Sequence, residues 1–486
     1  MLRAQTMHSD TDDDRWTAPV LALLAALLAW QLLMPPVVGL ADTGDFERLW
    51  RWFGITAPTD DPAQRYFRYL IREWRIDPSA GLSSGFVSTD LIFVAASVAL
   101  NGLVSEPGVY DIRTLAAVRS VVLLLGAFLL MRVARHGGVA MQAIAAVALL
   151  FVVGDVAYIA YFNSGFTEPG SLLFGLIAIA LYVRLVVDDG AKGPTAVAFV
   201  ASCVLLLWSK PQNVVLAIPL AWLAWRAIAG TNRRHAHLVA GACALIVIVA
   251  AALYRSWPPP LWYTQQIRHI AVFNSLLLES PDPAADLREL GVDPRWVVLK
   301  GRFPWNELST RNAQALQTEF HDRVDNGTIA RFYSRHPERV IALLKRSAYE
   351  ANAVRGGSGQ FEASSGRPPF SKPRWFGLRS DFVQHFVPVR FRWLVVILGV
   401  AVGIATYAWL RARTRAARLL AEGVIIAAVA AVIQYVVVAL LQGPVAVSKG
   451  MLLYAFLFDV MVVGAIAIVV QHLRTVLRLR GRTVTA

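Results

Sequence analysis

Long blocks of apolar residues, separated by short polar connections, dominate the pattern along the chain. Each block runs for about 16 to 24 residues, which suffices for an α-helix to cross roughly 30 Å of hydrocarbon. The apolar runs are continuous rather than alternating, which argues against a membrane β-barrel. The pattern predicts an all-α polytopic membrane protein, with about ten transmembrane helices, interfacial helices and a small extracytoplasmic domain. The predicted spans are residues 17–40, 114–133, 138–153, 169–187, 194–209, 212–229, 236–255, 391–411, 419–441 and 450–472.

Basic residues in the connections indicate how these helices are oriented. With the N-terminus in the cytoplasm, this set of spans puts every short basic connection on the cytoplasmic side, as membrane proteins prefer. Both termini are then cytoplasmic, and we expect a multi-pass protein of the cytoplasmic (inner) membrane. The basic residues are Arg132, Arg135, Arg184, Lys192, Arg226, Arg233, Arg234, Arg411, Arg413, Arg415, Arg418, Arg474, Arg478, Arg480 and Arg482.

Residues 89–104 form one further short apolar stretch. Its length and the polar Asn101 favour an interfacial or re-entrant helix. The alternative is a transmembrane span, which would reverse every later connection and place the basic ones outside. Both interpretations remain open at this point.

Polar regions divide the chain into three predicted parts. Residues 1–255 form an N-terminal membrane module with catalytic outer loops, residues 256–390 an extracytoplasmic lid domain, and residues 391–486 C-terminal membrane helices with a basic cytoplasmic tail. In the first outer loop, Phe46–Phe53 and Tyr66–Trp74 combine aromatic and basic residues. That combination favours helices lying along the lipid headgroups.

The composition supports the assignment to membrane proteins and indicates which kinds of partner to expect. Only 16% of the residues are charged, against about a quarter in soluble globular proteins. The formal net charge of +14 comes mostly from connections beside apolar blocks. It therefore indicates membrane lipids and an anionic lipid-linked substrate as partners, rather than nucleic acid. Cys203 and Cys243 lie within apolar blocks and show neither a disulfide nor a zinc spacing.

Two acidic residues, Asp42 and Asp45, follow the first span directly. Three positions apart, they share a face on a helical turn. A carboxylate beside the bilayer has raised proton affinity unless a cation or metal pairs with it, and such a group suits general-base catalysis. We therefore predict Asp42 and Asp45 as catalytic residues. Helix capping by Asp42 or Thr43 is the structural alternative, and both roles can hold together.

Residues 154–168, which join two spans, mix carboxylates, aromatic rings and amides. Such a mixture suits binding of a sugar or another polyol. An aromatic belt at the membrane interface would explain the tyrosines, but not the acids and the amide. The predicted substrate-binding residues of this loop are Asp155, Tyr158, Tyr161, Asn163 and Glu168.

Lys210 and Lys449 stand beside spans on the outer side, against the basic-inside pattern. A lysine in this position either binds phosphate as a point charge or extends toward lipid headgroups. Gln212 lies in the same turn as Lys210, and Arg367 lies in a Gly/Ser-rich part of the large outer region. These four residues complete the predicted substrate-binding set, with a solvated loop arginine as the alternative for Arg367.

Several short motifs together resemble the bacterial multi-spanning hexosyltransferases of the GT-C class. They are Asp-Thr-Gly-Asp-Phe at 42–46, the loop 155–168, Ser-Lys-Pro-Gln at 209–212, Phe-Tyr…His-Pro-Glu at 332–338 and Gly-Gln-Phe-Glu at 359–362. The chain departs from the family pattern at Gly165, which interrupts an Asn-Ser-aromatic run, and at Gln360, where Asn is expected.

The resemblance implies the GT-C fold and transfer of a hexose from a polyprenyl-phosphate donor. The acceptor would be a cell-envelope glycan or lipid on the extracytoplasmic face. An acidic catalytic residue is expected in the first outer loop, which maps onto Asp42 or Asp45. A divalent metal, Mg²⁺ or Mn²⁺, between Asp45 and the phosphate is an open alternative, although no cluster of ligands requires one.

Two other functions, and an inactive scaffold that retains only the fold, remain in competition with this one. A transporter or flippase for a lipid-linked saccharide predicts carboxylates deep within the spans, whereas here the polar groups collect outside. A ligase or polymerase that moves whole glycan chains would share the outer loops and their arginines.

Overall fold

A computed structural model describes residues 15–77, 79–80, 84–188, 192–229, 235–257, 259–352, 355–386 and 390–484. Within these residues the α-helices are α1 (Thr17–Leu32), α2 (Glu47–Trp50), α3 (Pro62–Arg65), α4 (Asp90–Val104), α5 (Arg113–Ala134), α6 (Val139–Val147), α7 (Val156–Ile159), α8 (Glu168–Val187), α9 (Lys192–Ser209), α10 (Ala217–Ala229), α11 (Ala236–Ser256), α12 (Leu261–Ala271), α13 (Pro283–Glu289), α14 (Glu307–Arg311), α15 (Ala313–Leu316), α16 (Asn326–Arg335), α17 (Pro337–Asn352), α18 (Leu378–Phe386), α19 (Phe391–Arg411), α20 (Arg415–Gly450) and α21 (Leu452–Val484).

The predicted polytopic architecture is confirmed. The helical segments long and apolar enough to cross a membrane are Arg113–Gly137, Glu168–Val187, Pro211–Ala229, Ala236–Ser256, Phe391–Arg411, Arg415–Gln442 and Leu452–Leu477. The pair Val139–Val153 and Val156–Phe162, bent by 54°, adds a further span if both halves cross together. Shorter apolar helices occupy Thr17–Leu32 and Gly193–Ser209, so an apolar helix coincides with every predicted span.

One detail of this prediction changes. The first span was predicted to reach residue 40, but its helix ends at Leu32, just before Pro35 and Pro36, which cannot donate backbone hydrogen bonds. The short apolar stretch forms α4, a helix of 15 residues. Whether α4 crosses the membrane or lies along it stays a prediction. Arg233 and Arg234, used for the topology, lie outside the described residues.

At the centre of the bundle is α8, which is apolar on all sides and buried along most of its length. A helix of that composition is stable only when neighbours cover its whole circumference. It packs against α5, α9, α20 and α21. Its first residue, Glu168, is buried and lies at the end of the bundle next to the loops that were predicted to lie outside.

The region between α1 and α5, which was predicted to lie outside and for which we keep the name first outer loop, contains a small antiparallel sheet that the sequence did not predict. Its strands are β1 (Ile55–Thr56), β2 (Glu73–Ile76) and β3 (Val109–Asp111), in the order β1-β2-β3. The predicted interfacial helix over Tyr66–Trp74 is wrong, because Trp74 is buried between the exposed Glu73 and Arg75, an alternation of period two. The stretch Phe46–Phe53 is helical, as predicted, through α2 and a following 3₁₀ turn.

The large outer region has a hydrophobic core of its own. In it, Phe273 and Phe320 pack against each other with ring centroids 5.0 Å apart and ring planes tilted by 51°. Trp296, Phe332 and Leu343 belong to the same cluster. Helices α12 and α17 connect this core to α20 of the membrane bundle. The division of the chain into three domains stays a prediction, although the second core lies inside the predicted lid.

Candidate functional site

Asp42 lies on an extended segment that two distant parts of the chain hold in place. The Ala41 N–H donates to the Gly359 carbonyl, and the Phe67 N–H donates to the Asp42 carbonyl. The Leu70 N–H in turn donates to the Phe361 carbonyl. The Gly-Gln-Phe-Glu motif thus runs directly beside the acidic loop, although more than three hundred positions separate them in sequence.

The Asp42 carboxylate is buried, with only 1% of the residue exposed. Its Oδ1 accepts hydrogen bonds from the backbone N–H groups of Gly44 at 2.7 Å and Phe46 at 3.3 Å. Both donors precede α2, whose N-cap residue Phe46 has no side-chain capping hydrogen bond. Asp42 therefore stabilises a turn of the loop, and the helix capping raised as its structural alternative is not observed. Its Oδ2 has no hydrogen-bond partner among the described residues. Burial raises the pKa of Asp42 above its usual value, while the Gly44 N–H and the Arg65 charge partly offset that effect.

Arg65, at the end of α3, is the cation nearest to the free oxygen of Asp42. Its Nε lies 3.5 Å from Asp42 Oδ2, and its Nη2 donates to Glu47 Oε1 at 2.6 Å. The guanidinium also stacks on Tyr66, 4.8 Å from the ring centroid. Glu47 and the tyrosine ring therefore fix Arg65 beside Asp42. The sequence reading did not single out this arginine.

Asp45 is placed between two cations. Arg48 Nη2 lies 2.5 Å from its Oδ1, and the Lys449 ammonium contacts its Oδ2. The Lys449 ammonium also lies 4.5 Å from the centroid of the Phe166 ring, and Arg48 stacks on Tyr263 at 4.9 Å. The fold thus brings together two predicted residues from opposite ends of the sequence. Lys449 is at the C-terminal end of α20, where the helix dipole favours a cation.

Aromatic packing fixes the loop that carries Phe166. Its ring meets Phe46 edge to face, with centroids 4.9 Å apart. A Cβ at Gly165 would lie 2.6 Å from Phe46 Cγ, closer than carbon atoms approach. The departure from the family pattern at this position therefore has a physical reason, since only glycine lets Phe46 pack here.

Buried Arg119 organises the same loop, and the sequence reading missed its role. It is fully buried in α5 and pairs with Asp90 at 2.9 Å. Its guanidinium also donates to the backbone carbonyls of Tyr161, Phe162, Ser164 and Phe166. A charge inside an apolar block was the available signal, because such residues are usually retained for a role.

Two predicted substrate residues, Asp155 and Tyr158, are bound within the protein. Asp155 accepts hydrogen bonds from the Ala157 N–H at 2.8 Å and from the N–H and hydroxyl of Ser380, each at 2.9 Å. The Tyr158 hydroxyl donates to Asp459 Oδ2 at 2.6 Å. Their hydrogen bonds join the upper bundle to α18 and α21. This placement favours an architectural role, and substrate contact stays a prediction.

Asn163 and Tyr161 are also buried. The Asn163 amide donates to the carbonyls of Leu32 at 2.9 Å and Val38 at 2.8 Å, so it fastens the segment that leads from α1 to Asp42. The Tyr161 ring lies 6.0 Å from that of Phe166. These two predicted residues support the acidic loop, and their contact with substrate stays a prediction.

Glu168 and Lys210, both predicted for substrate, pair with each other at 2.6 Å. Both side chains are buried, with exposures of 4% and 7%. Breaking such a pair leaves an uncompensated buried charge, which costs about 3–5 kcal/mol. Lys210 is therefore less suited than Lys449 to receive a phosphate.

Gln212 forms hydrogen bonds with the C-terminal end of α20. Its Nε2 donates to the Gly450 carbonyl at 3.1 Å, and its Oε1 accepts from the Gln442 amide at 2.8 Å. Gln434 lies within 3.4 Å of the same side chain. Gly450 follows Lys449 directly, so this glutamine cluster holds the helix end that presents Lys449 to Asp45.

Arg367 lies beside the Gly-Gln-Phe-Glu motif. Its guanidinium stacks 4.3 Å from the Phe361 ring and 5.1 Å from the Trp375 ring. The side chain is half-buried. An arginine held on aromatic faces keeps donors available at its edge, so a role in binding an anionic substrate stays a prediction.

The residues around Asp45 do not fit a divalent metal. Each of its carboxylate oxygens already contacts a cation, Arg48 or Lys449, and a metal ion there would meet both at close range. Across the described ranges, no group of three His, Cys, Asp or Glu side chains is arranged to hold a metal. No chemical step proposed below depends on one.

The assembled residues, which we call the acidic-loop cluster, are Asp42, Asp45, Arg48, Arg65 and Lys449. One carboxylate has a free oxygen in a desolvated setting, which is the environment of a general base. Two neighbouring cations share the other carboxylate and present donors that suit a phosphate. The cluster therefore combines a proton acceptor with stabilisation for a developing negative charge.

Comparison with known proteins gives a family and two structural neighbours. A family model described as the YfdI N-terminal transmembrane domain matches residues 7–483. A search of curated proteins found no match. Among solved structures, the Archaeoglobus fulgidus oligosaccharyltransferase in the apo form has 12% identity and a TM-score of 0.44, covering 97% of this chain and 52% of its own.

The second structure is the archaeal oligosaccharyltransferase AglB from Archaeoglobus fulgidus, in complex with an inhibitory peptide and a dolichol-phosphate. It has 11% identity and a TM-score of 0.43, covering 96% of this chain and 52% of its own. The chain thus spans about half the length of both structures. From the family match over nearly its whole length, the chain belongs to the YfdI N-terminal transmembrane domain family, a GT-C-type glycosyltransferase family.

Proposed function

We propose that this membrane protein transfers a hexose from a polyprenyl-phosphate donor to a cell-envelope glycan or lipid on the extracytoplasmic face. The observation that supports it most strongly is the acidic-loop cluster. In it, a buried aspartate with a free oxygen lies close to a carboxylate that carries two cations. Family membership supports the reaction class, and the cluster supplies a chemistry for it.

Asp42 is the general base in this proposal. Its Oδ1 is fixed by backbone N–H groups, while Oδ2 is free to accept the proton of an acceptor hydroxyl. The raised pKa makes it a stronger base than an exposed aspartate. A positioned base of this kind typically contributes about 10²- to 10⁴-fold to the rate.

Lys449 and Arg48 stabilise the leaving group. The acceptor oxygen bonds to the anomeric carbon as the bond from that carbon to the phosphate oxygen breaks. The acceptor proton goes to Asp42, and the electron pair leaves with the polyprenyl phosphate. Asp45 holds both cations ready, so the phosphate gains donors without reorganisation of the site. A single displacement inverts the anomeric centre.

The sidedness of the site follows from the charge pattern. The acidic-loop cluster lies at the end of α20 opposite to Arg415 and its basic neighbours. Because basic connections stay in the cytoplasm, we place the cluster on the outer face of the cytoplasmic membrane. A lipid-linked donor delivered to that face would present its phosphate at the height of the cluster.

The test uses purified protein in vesicles containing a polyprenyl-phosphate hexose labelled in the sugar. Transfer predicts that label moves to an added acceptor while free polyprenyl phosphate accumulates in equal amount. A flippase would move the labelled lipid across the bilayer with the sugar–phosphate bond intact. A ligase would act on lipid-linked oligosaccharide but leave the monosaccharide donor unchanged. Either result would overturn the proposal.

A further inference from the structure

An apolar groove of about 2000 Å³ runs between the membrane helices, away from the acidic-loop cluster. Its walls come from α5, α6, α8, α9, α10, α19, α20 and α21, and the cluster residues do not line it. Along α21 the lining extends from Phe456 to Val476, which is about 30 Å of helix. That length matches the hydrocarbon thickness of a bilayer, roughly 30 Å.

The two ends of the groove differ in charge. At the end near α18, Asp459 is the lining carboxylate, and Arg379 and Tyr158 bind it. The opposite end is lined by Arg411 and Arg413, whose side chains are exposed. His136 and His472 line the same end, where Arg474 donates to the Gly137 carbonyl at 2.7 Å. Among the described lining residues, this end has cationic groups and no carboxylate.

We propose that this groove binds an anionic diacyl phospholipid from the leaflet on the basic side. Its phosphate would lie on Arg411 and Arg413, and its acyl chains would extend along the apolar walls. The guanidinium fork matches the geometry of a phosphate, and basic pockets between membrane helices attract anionic headgroups. The charge asymmetry of the groove is what selects an anionic lipid over a zwitterionic one.

The occupant is distinct from the sugar donor. Helix α20 begins at Arg415, beside the basic end of the groove, and Lys449 is near its other end. These residues are 34 positions apart, or about 51 Å along a straight helix. A donor with its phosphate at the acidic-loop cluster therefore leaves the basic end of the groove without an anion. A resident membrane phospholipid supplies one.

Native mass spectrometry of the purified full chain tests the headgroup preference. Phosphatidylglycerol and phosphatidylcholine with identical acyl chains are supplied in equal amounts. We expect retention of phosphatidylglycerol to exceed that of phosphatidylcholine about fivefold or more, given the attraction of each arginine for an anionic lipid. The double variant R411Q/R413Q should lose this preference. The double variant R390Q/R392Q, at the opposite end of α19 with the same change in net charge, should keep it.

A second pair of variants tests the groove itself. Gly403 lines the groove, and a Cβ built there meets nothing within 4 Å. The variant G403L therefore places a side chain in the groove without disturbing the helix packing, and we expect it to lower phosphatidylglycerol retention by about half or more. Gly399, one turn away on α19, has equal space and does not line the groove. The variant G399L should retain lipid as the unaltered chain does.

Three results would overturn the proposal. The first is equal retention of the two phospholipids by the unaltered chain. The second is a preference that R411Q/R413Q and G403L leave intact. The third is displacement of phosphatidylglycerol by polyprenyl phosphate at equal concentration, which would assign the groove to the carrier lipid. None of these readouts depends on sugar transfer, so the reaction proposed above is tested separately.

Discussion

At the scale of single residues, Asp42 and Asp45 lie three positions apart and have opposite surroundings. Burial raises the pKa of Asp42, while hydrogen bonds from backbone N–H groups and the charge of Arg65 partly offset this effect. Asp45 contacts Arg48 and Lys449 directly. The first setting favours proton uptake, and the second surrounds the carboxylate with cations. We therefore assign the base to Asp42 and the organisation of the cations to Asp45.

The rate should depend on pH through Asp42. A base must be deprotonated, so activity falls as the pH drops through the pKa of Asp42, which burial raises above its usual value. The Arg65 charge lowers that pKa, and the variant R65Q should therefore move the acid limb of the kcat profile to higher pH. The variant R51Q, which removes a partner of Glu47 only, should leave the limb in place. An unshifted limb in R65Q would exclude Asp42 as the titrating base.

Lys449 should act on the leaving group. The variant K449Q removes one of the two donors expected at the phosphate, and we predict a fall in kcat of about 10²- to 10³-fold. The exposed Lys345 of α17 provides the matched control, because K345Q makes the same change outside the cluster. Equal rates for the two variants would show that the leaving phosphate does not rely on Lys449.

The sequence predicted part of this site. Asp42, Asp45 and Lys449 were predicted because they are charged residues beside apolar spans, and the fold brings all three together. Arg48 and Arg65 were not predicted, because their partners depend on the turns of the outer loop. The hydrogen bonds from Arg119 to the backbone of residues 161–166 could not be predicted. The sequence showed only that a charged residue lies inside an apolar block.

At the scale of elements, the end of α20 positions the proposed phosphate-binding lysine. The Gln442 amide donates to Gln212, and the Gln212 amide donates to the Gly450 carbonyl. The long spans were predictable because continuous apolar runs admit few alternatives. Strand β2 was not predictable, because a strand of four residues shows too few alternations of apolar and polar positions to be recognised. The aromatic and basic residues of that stretch indicated an interfacial helix instead. The two prolines indicated that α1 ends early, but the predicted span followed the apolar residues as far as residue 40.

A substitution at Gly450 tests whether the hydrogen bonds of Gln212 and Gln442 hold the end of α20 in place. A Cβ there would lie 1.9 Å from Gln442 Oε1 and 2.8 Å from Val438 Cγ1, so the variant G450A must displace the glutamine. Overpacking of this kind costs about 1–3 kcal/mol, and we expect a lower Tm together with a lower kcat. The variant G399A, where a Cβ meets nothing within 4 Å and alanine favours the helix more than glycine does, should lower neither the Tm nor the rate. Adding Q442A to G450A removes the closer of the two clashes and should recover part of the Tm but none of the rate if the hydrogen bonds of Gln442 and Gln212 position Lys449.

At the scale of the whole molecule, two buried polar links fasten the outer region to the membrane bundle. Arg379 of α18 binds both oxygens of Asp459, at 2.9 and 3.2 Å. Asp155 binds the backbone and hydroxyl of Ser380 beside it. The order of the spans was readable from the sequence, whereas contacts between residues hundreds of positions apart were not.

Breaking one link should loosen the outer region. The variant D459N leaves Arg379 buried without its counter-charge, which costs about 3–5 kcal/mol. We expect faster hydrogen exchange across residues 378–386, measured by mass spectrometry. Asp381, in the same helix, pairs with Arg355 but is partly exposed, so D381N should cost only about 0–1 kcal/mol. Equal exchange in both variants would contradict the role given to the Arg379–Asp459 pair.

Sugar transfer by the purified chain, compared between D42N and D60N, tests the central claim most directly. Asp60 lies exposed in the same outer loop, so the two variants make the same chemical change in different settings. With a polyprenyl-phosphate hexose as donor, the account predicts that D42N lowers kcat by about 10²- to 10⁴-fold, while D60N transfers at the unaltered rate. Transfer by D42N at the rate of D60N would contradict the assignment of Asp42 as the catalytic base.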